Sequence, residues 1–93
     1  MNRFSIYSVR DNDTNKRSLE FGYREGRECS IDISNLREGQ SLIVQYTNVK
    51  YFTTSKVIEI IEDDYGFEVK TMNRTYYFKH IYEKSDNVPI FDF

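Results

Sequence analysis

Apolar and polar residues alternate along most of this 93-residue chain. A period of two is typical of a β-strand whose two faces meet different environments. In the first such run, one face carries Phe4, Ile6 and Ser8, and the other carries Ser5, Tyr7 and Val9. Later runs predict strands at residues 19–23, 29–33, 42–46, 51–61, 67–71 and 75–82.

Turn residues separate these predicted strands. The polar run at residues 10–17 predicts a loop, and Gly26 and Gly39 predict chain reversals. The acidic segment that ends at Gly66 predicts a tight hairpin, because Asp and Gly favour such turns. No run shows the 3.6-residue apolar repeat of a helix.

The predicted strand at residues 51–61 is apolar on both faces, at Val57, Ile58, Ile60 and Ile61. This pattern predicts a central or strongly bent strand that is covered on each side. The chain as a whole is therefore expected to be all-β, a small partly open barrel of SH3-like or OB-like type with about six or seven short antiparallel strands. Residues 1–84 would form this single domain, and the tail at residues 85–93 would add an edge strand to it.

Composition agrees with strands and limits the partners. The chain has eight Tyr and seven Phe but no Trp and no Ala, the best helix former. Its formal net charge is -2, which disfavours general coating of duplex DNA. Residues 1–50 carry 8 basic and 7 acidic side chains, whereas residues 51–93 carry 5 and 8. The second part therefore has the acidic surplus.

The location expected from the sequence is the cytoplasm of a bacterial or host cell. Cys29 is the single cysteine, so no disulfide forms within the chain. The first residues contain no apolar core of a signal peptide, and no stretch reaches the roughly 18 apolar residues of a membrane-spanning helix. We therefore expect no membrane partner.

Catalytic chemistry has little support in the sequence. Cys29 lies in phase with apolar neighbours, so we expect a core thiol, and the single histidine, His80, shares a face with Phe78. One Cys and one His do not make a structural zinc site, and the acidic run at residues 62–64 lacks the spacing of a calcium loop. We expect no enzyme, no metal and no cofactor.

Binding chemistry is better supported, because a set of aromatic residues exceeds what a small barrel interior holds. These residues are Tyr7, Tyr23, Tyr46, Tyr51, Tyr76, Tyr77 and Tyr82, with Phe52. Arg74 is suited to pair with a phosphate or carboxylate while neighbouring rings stack on a base. The candidate binding residues are Asn73, Arg74, Tyr76, Tyr77, Tyr51, Glu62, Asp63 and Asp64. The alternative for each tyrosine is cross-strand packing, and for the three acids a solvated hairpin tip.

Two further candidates are the basic loops and the tail. The loops carry Arg10, Lys16, Arg17, Arg24 and Arg27, with solvated loop charge as the alternative. The tail carries Ile90, Phe91 and Phe93, which would pack on the protein's own sheet or form a homodimer. An uncovered edge strand offers a second route to a homodimer.

The segment from residue 54 to 78 resembles a strand-turn-strand pattern of small β-barrel proteins of unknown function from phages and plasmids of low-GC bacteria. The matching residues are Thr54, Ser55, Val57, Ile60, Val69, Thr71, Asn73 and Tyr76. The resemblance implies an accessory protein that binds and blocks a host protein or captures a nucleotide signal. It implies no catalytic residue.

Two functional hypotheses follow. The first is a non-enzymatic binding module from a mobile element that modulates or inhibits a host protein. An acidic surface at Glu59, Glu62, Asp63, Asp64 and Glu68 would imitate nucleic acid toward a basic host protein. The alternative is a barrel that binds single-stranded nucleic acid or a nucleotide through Arg74, Tyr76 and Tyr77.

Overall fold

The computed structural model describes residues 2–18, 25–46 and 50–81. Within these ranges the strands are β1 (Asn2–Asp11), β2 (Lys16–Arg17), β3 (Glu28–Ile31), β4 (Ser41–Gln45), β5 (Tyr51–Glu62), β6 (Gly66–Thr71) and β7 (Arg74–His80), with a 3₁₀ helix at Ile33–Asn35. Every strand pairing found there is antiparallel. The predicted all-β class is confirmed.

The strands close into a barrel. In the described part of the chain the order is β1, β3, β4, β5, β6 and β7, and β7 pairs back onto β1 to complete six strands. The short β2 is an extra strand on the same edge of β1 as β3. The predicted small antiparallel barrel is therefore confirmed.

The barrel interior is filled by alternate side chains from all six strands. Its buried apolar members are Phe4, Ile6, Val9, Cys29, Ile31, Leu42, Val44, Phe52, Val57, Phe67, Val69, Tyr76 and Phe78. Burying one Val, Leu, Ile or Phe side chain contributes roughly 1.5–3 kcal/mol. In β6, Phe67, Val69 and Thr71 point inward between exposed Glu68 and Lys70, as the alternation predicts.

A bulge in β1 places Val9 on the opposite face of the strand from the one predicted. Ile6 pairs with Phe78 and Ser8 with Tyr77, so Tyr7 is an extra residue in β1. A bulge shifts the alternation by one. Val9 is therefore buried on the same side as Phe4 and Ile6, and its predicted place on the opposite face is wrong.

The prediction that β5 is covered on both faces is also wrong. Ile58 and Ile61 are exposed, because β5 has the core on one side and solvent on the other. Its register shifts between Val57 and Glu59 with one extra residue, Ile58, and again opposite β4. β5 pairs with β4 on one edge and with β6 on the other, so its predicted central position is confirmed.

Two predicted boundaries differ from the structure. The predicted loop at residues 10–17 is shorter, because Arg10 and Asp11 pair with Arg17 and Lys16. The predicted strand at 29–33 ends at Ile31, because the Asp32 carboxylate accepts the Ser34 N–H (3.1 Å) and begins the 3₁₀ helix. The predicted strand at 19–23, residues 47–49 and the tail lie outside the described residues.

Two joins between strands have opposite character. At β6–β7, Gly66 lies so close to the partner strand that a Cβ there would overlap the Phe78 carbonyl oxygen. At β3–β4, the residues described form a single pair, Ser30 opposite Gln45. Among the described residues, the barrel is therefore closed along a tight join at β6–β7 and at one residue pair at β3–β4.

The edge of β1 between β2 and β3 is completed by a side chain. The Glu25 carboxylate accepts the Val9 N–H (3.0 Å) and lies 3.0 Å from the Arg17 Nε. It thereby satisfies a backbone donor where neither strand reaches β1.

No helix in the described ranges is long and apolar enough to cross a membrane.

Candidate binding surface

Aromatic side chains gather on the outside of the barrel, where β1, β7 and the β5–β6 hairpin meet. Tyr7 points outward from β1, β7 presents Tyr77 and Lys79, and the hairpin turn supplies Tyr65. We call Tyr7, Tyr65, Tyr77 and Lys79 the tyrosine patch, and together they line a shallow cavity of about 220 Å³. Tyr7 is 59% and Tyr65 66% exposed, so their rings are available to a partner.

Contacts between its members hold part of the patch in place. The rings of Tyr7 and Tyr77 meet edge to face, with centroids 5.7 Å apart. The Lys79 Nζ lies 4.8 Å from the centre of the Tyr7 ring, within the range of a cation–π contact. A surface that is already ordered loses less conformational entropy when it binds.

Asp63 ties the patch to the hairpin. Its carboxylate accepts the backbone N–H groups of Tyr65 (2.8 Å) and Gly66 (2.9 Å). It also accepts the Tyr77 hydroxyl at 2.9 Å, which joins the turn to β7. The Tyr65 N–H and then the Tyr77 hydroxyl lower the pKa of Asp63 below its ordinary value, so this carboxyl stays ionised.

The same contact changes the acidity of Tyr77. Partial desolvation of the phenol, followed by its hydrogen bond to the Asp63 carboxylate, raises the pKa of Tyr77 to about 12. The hydroxyl is therefore a neutral donor at physiological pH. Tyr77 is a ring held in position by its hydrogen bond to Asp63.

Acidic residues border the patch on one side. Glu62 and Asp64 are exposed at the hairpin tip beside Tyr65, as predicted for solvated side chains. Glu68 is exposed and pairs with Tyr77 across β6 and β7. Together with Asp63 they place negative charge next to exposed rings.

Mixed charge continues this border beyond Glu68. A shallow hollow of about 400 Å³ begins at Tyr77 and includes the cations Arg10 and Lys70 and the carboxylates Glu59 and Glu68. Opposite charges in one hollow reduce its net attraction for either a phosphate or a cation.

The predicted binding residues do not form one site. Tyr76 is 2% exposed and its ring stacks on Phe52 and Phe78, so its predicted role at the surface is wrong. The reason is the strand period, which turns Tyr76 inward and Tyr77 outward. Tyr51 is 62% exposed but lies at the opposite end of β5 from the hairpin tip.

Asn73 and Arg74 lie at the other end of β7 from the hairpin tip. The Asn73 N–H donates to Ser55 Oγ (3.2 Å), and its carbonyl accepts the Asn12 N–H (3.1 Å). The Arg74 Nε is 3.2 Å from the Asp11 carboxylate in a partly buried ion pair. Arg74 therefore does not join Tyr77 to form the predicted stacking and phosphate site.

The two side chains suited to nucleophilic chemistry are kept apart. Cys29 is buried, and this burial raises the pKa of its thiol to about 12. His80 packs on the rings of Phe4 and Phe67. Phe4 of β1 pairs with Cys29 on one side and His80 on the other, which places their backbones roughly 10 Å apart. No cluster of metal-binding side chains occurs in the ranges described.

Sequence reasoning did not bring Tyr65 and Lys79 into the site. Tyr7 stood out only as one of many tyrosines. The patch exists because β1 pairs with β7, which joins residues about seventy positions apart. No protein-family model, curated protein or solved structure matches the chain.

Proposed function

We propose that this chain is a non-enzymatic binding module, of the kind carried by phages and plasmids, that binds a host protein and modulates or inhibits it. The observation that carries the proposal is the tyrosine patch, two exposed rings held beside Tyr77, Lys79 and the Asp63 contact. Tyrosine is enriched in protein interfaces because it combines a large apolar ring with a polar tip.

The acidic border supports a basic partner. Glu68 is exposed opposite Tyr77, Asp64 is exposed next to Tyr65 in the chain, and Glu62 is exposed at the same hairpin tip. A cationic segment of the host protein would stack on the rings and pair with these carboxylates. Because a nucleic-acid-binding protein has such segments, occupation of that surface would inhibit it.

The test uses the tagged full chain in a lysate of a low-GC bacterium, followed by size-exclusion chromatography, light scattering and mass spectrometry. We expect one host protein to co-elute at fixed stoichiometry. Tyr65→Ala and the double variant Glu62→Lys with Asp64→Lys should each lose it. Tyr51→Ala is the matched control, since it removes an equally exposed tyrosine elsewhere on the barrel.

The proposal fails if no protein co-elutes or if Tyr51→Ala has the same effect as Tyr65→Ala.

A second candidate function is binding of single-stranded nucleic acid or a nucleotide, favoured by Arg10 and Lys70 in the hollow that begins at Tyr77. It predicts that oligothymidylate binds at low salt, that salt weakens the binding, and that Tyr77→Ala abolishes it. Absence of binding at low salt would remove this candidate.

A further inference from the structure

The backbone of β4 directs alternate residues toward opposite neighbours. The Tyr46 N–H donates to the Lys50 carbonyl (3.0 Å), and the Leu42 N–H donates to Thr54 Oγ1 (2.9 Å). Even-numbered residues of β4 therefore turn their backbone groups toward β5. Because direction alternates along an antiparallel strand, Ser41, Ile43 and Gln45 turn theirs toward β3.

On that side β3 does not meet them fully. Gln45 pairs with Ser30, but β3 ends at Ile31 and the chain enters the 3₁₀ helix. Within the described ranges Ser41 and Ile43 have no pairing on β3. Their backbone groups face a groove of about 310 Å³, which we call the β3–β4 groove and whose walls include Ser30, Asp32, Asn35, Ser41, Ile43 and Gln45.

The chemistry of this groove specifies an extended chain. Donors and acceptors two residues apart on one strand edge are matched by another strand, because its own groups repeat at the same spacing. Ile43 is 57% exposed at the same edge and offers an apolar contact to one side chain of the incoming strand.

Charge adds a second requirement. Asp32 lines the groove, and its carboxylate is held by Ser34 and by the Asn35 amide (3.2 Å). Among the described residues no Lys or Arg forms an ion pair with it. An incoming Lys or Arg side chain would place a positive charge beside the Asp32 carboxylate.

We propose that the β3–β4 groove binds an extended peptide segment of another protein, which adds to β4 as a strand and places an apolar side chain on Ile43 and a cationic one near Asp32. The segment would span about four residues, since two of every four hydrogen-bond with the strand beside them. This site is distinct from the tyrosine patch and does not depend on it.

The experiment selects peptides from a displayed random-heptapeptide library on the immobilised full chain, and measures the best one as a synthetic peptide. We expect an alternating apolar sequence with a Lys or Arg. Ile43→Arg should weaken its affinity at least tenfold, because it repels the cationic residue and covers the edge. Ile61→Arg makes the same change at an exposed isoleucine of β5 and should have no effect.

Methylation of the peptide nitrogens tests the backbone contacts without altering the protein. Methylation at alternate positions should reduce affinity at least tenfold, and at the intervening positions it should do so much less. Tyr65→Ala should leave the affinity unchanged, which separates this site from the tyrosine patch.

Several results would overturn the proposal. The first is a library that yields no enriched peptide, and the second is a peptide that binds the Ile43→Arg variant as tightly as the original chain. The third is an affinity that methylation of the peptide nitrogens leaves unchanged. Each of these results would contradict the proposal. If light scattering instead finds a dimer that Ile43→Arg dissociates, the groove joins two copies of this chain and the peptide proposal is wrong.

Discussion

The two sides of the barrel differ in how completely their strands are joined. From β5 through β6 and β7 to β1, pairing continues along each strand, from Glu62 opposite Phe67 to Asp11 opposite Arg74. From β3 to β4 the described residues pair once. The tyrosine patch lies on the first side and the β3–β4 groove on the second, so the described residues combine a continuously paired surface and a sparsely paired edge in one small domain.

The comparison teaches that the two surfaces suit different kinds of partner. Continuous pairing fixes side chains, as the Asp63 contact with Tyr77 does, and favours recognition by a preformed surface. Incomplete pairing leaves backbone groups to be satisfied, and favours recognition by an added strand.

The largest predicted effect is that of a methyl group at the two glycines, one on each side. Gly66→Ala should destabilise the fold by about 3 kcal/mol or more, because its Cβ would overlap the β7 backbone. Gly39→Ala, next to the groove, meets open space and only a positive φ of 89°, so we expect roughly 1–2 kcal/mol. Urea unfolding of both variants measures this difference, and equal losses would contradict it.

Amide hydrogen exchange should show the next largest contrast. The Ser41 and Ile43 amides should exchange at least about a hundredfold faster than those of β6, because they face the groove rather than a paired strand. Leu42 and Val44 are the internal control, since their amides turn toward β5 and should be protected. Uniform protection along β4 would show that the β3–β4 edge is paired after all.

A smaller effect is expected from the aspartates that begin the turns on the two sides. Hydrogen bonds lower the pKa of both: Asp63 mainly through the Tyr65 N–H, and Asp32 mainly through the Ser34 side chain. A folded pKa below the unfolded value means that each stabilises the fold above about pH 4 and that this contribution is lost as the pH falls through the folded pKa.

Asp63→Asn should lower the urea midpoint at neutral pH more than Asp32→Asn, because Asp63 also holds Tyr77 of another strand. Asp63→Asn should also reduce the loss of stability between neutral and acidic pH by more than Asp32→Asn does. Urea midpoints at neutral and acidic pH measure both effects. A larger effect of Asp32→Asn would contradict the assignment of Asp63 as the residue that fixes the patch.

Much of the fold could be predicted from the sequence, because alternation is a local signal. Phe67, Val69 and Phe78 point inward as their phase indicates. The failures occur at bulges: Val9 is turned inward by one extra residue in β1, and Ile58 is the extra residue in β5. A bulge changes the phase without a distinctive residue type, so the sequence does not mark it.

The candidate surface was less accessible to prediction. Tyr77 and Asp63 were both identified, yet their contact depends on how β7 lies beside the hairpin. The predicted surface position of Tyr76 is wrong because Tyr76 shares the phase of Phe78, and residues of this phase point into the barrel. Tyr7 reaches the site only through pairing between the first and last strands of the barrel, which no local pattern specifies.

The pairing of β1 with β7 also determines when the barrel can form during synthesis. Phe4 finds its partner His80 only after nearly the whole described chain has left the ribosome, and closing so long a loop makes folding slow. Until then the β7-facing edge of β1 is an open template for another nascent chain. The barrel therefore closes late in synthesis. Neighbouring chains on a polysome are where mispairing of the open β1 edge is most expected.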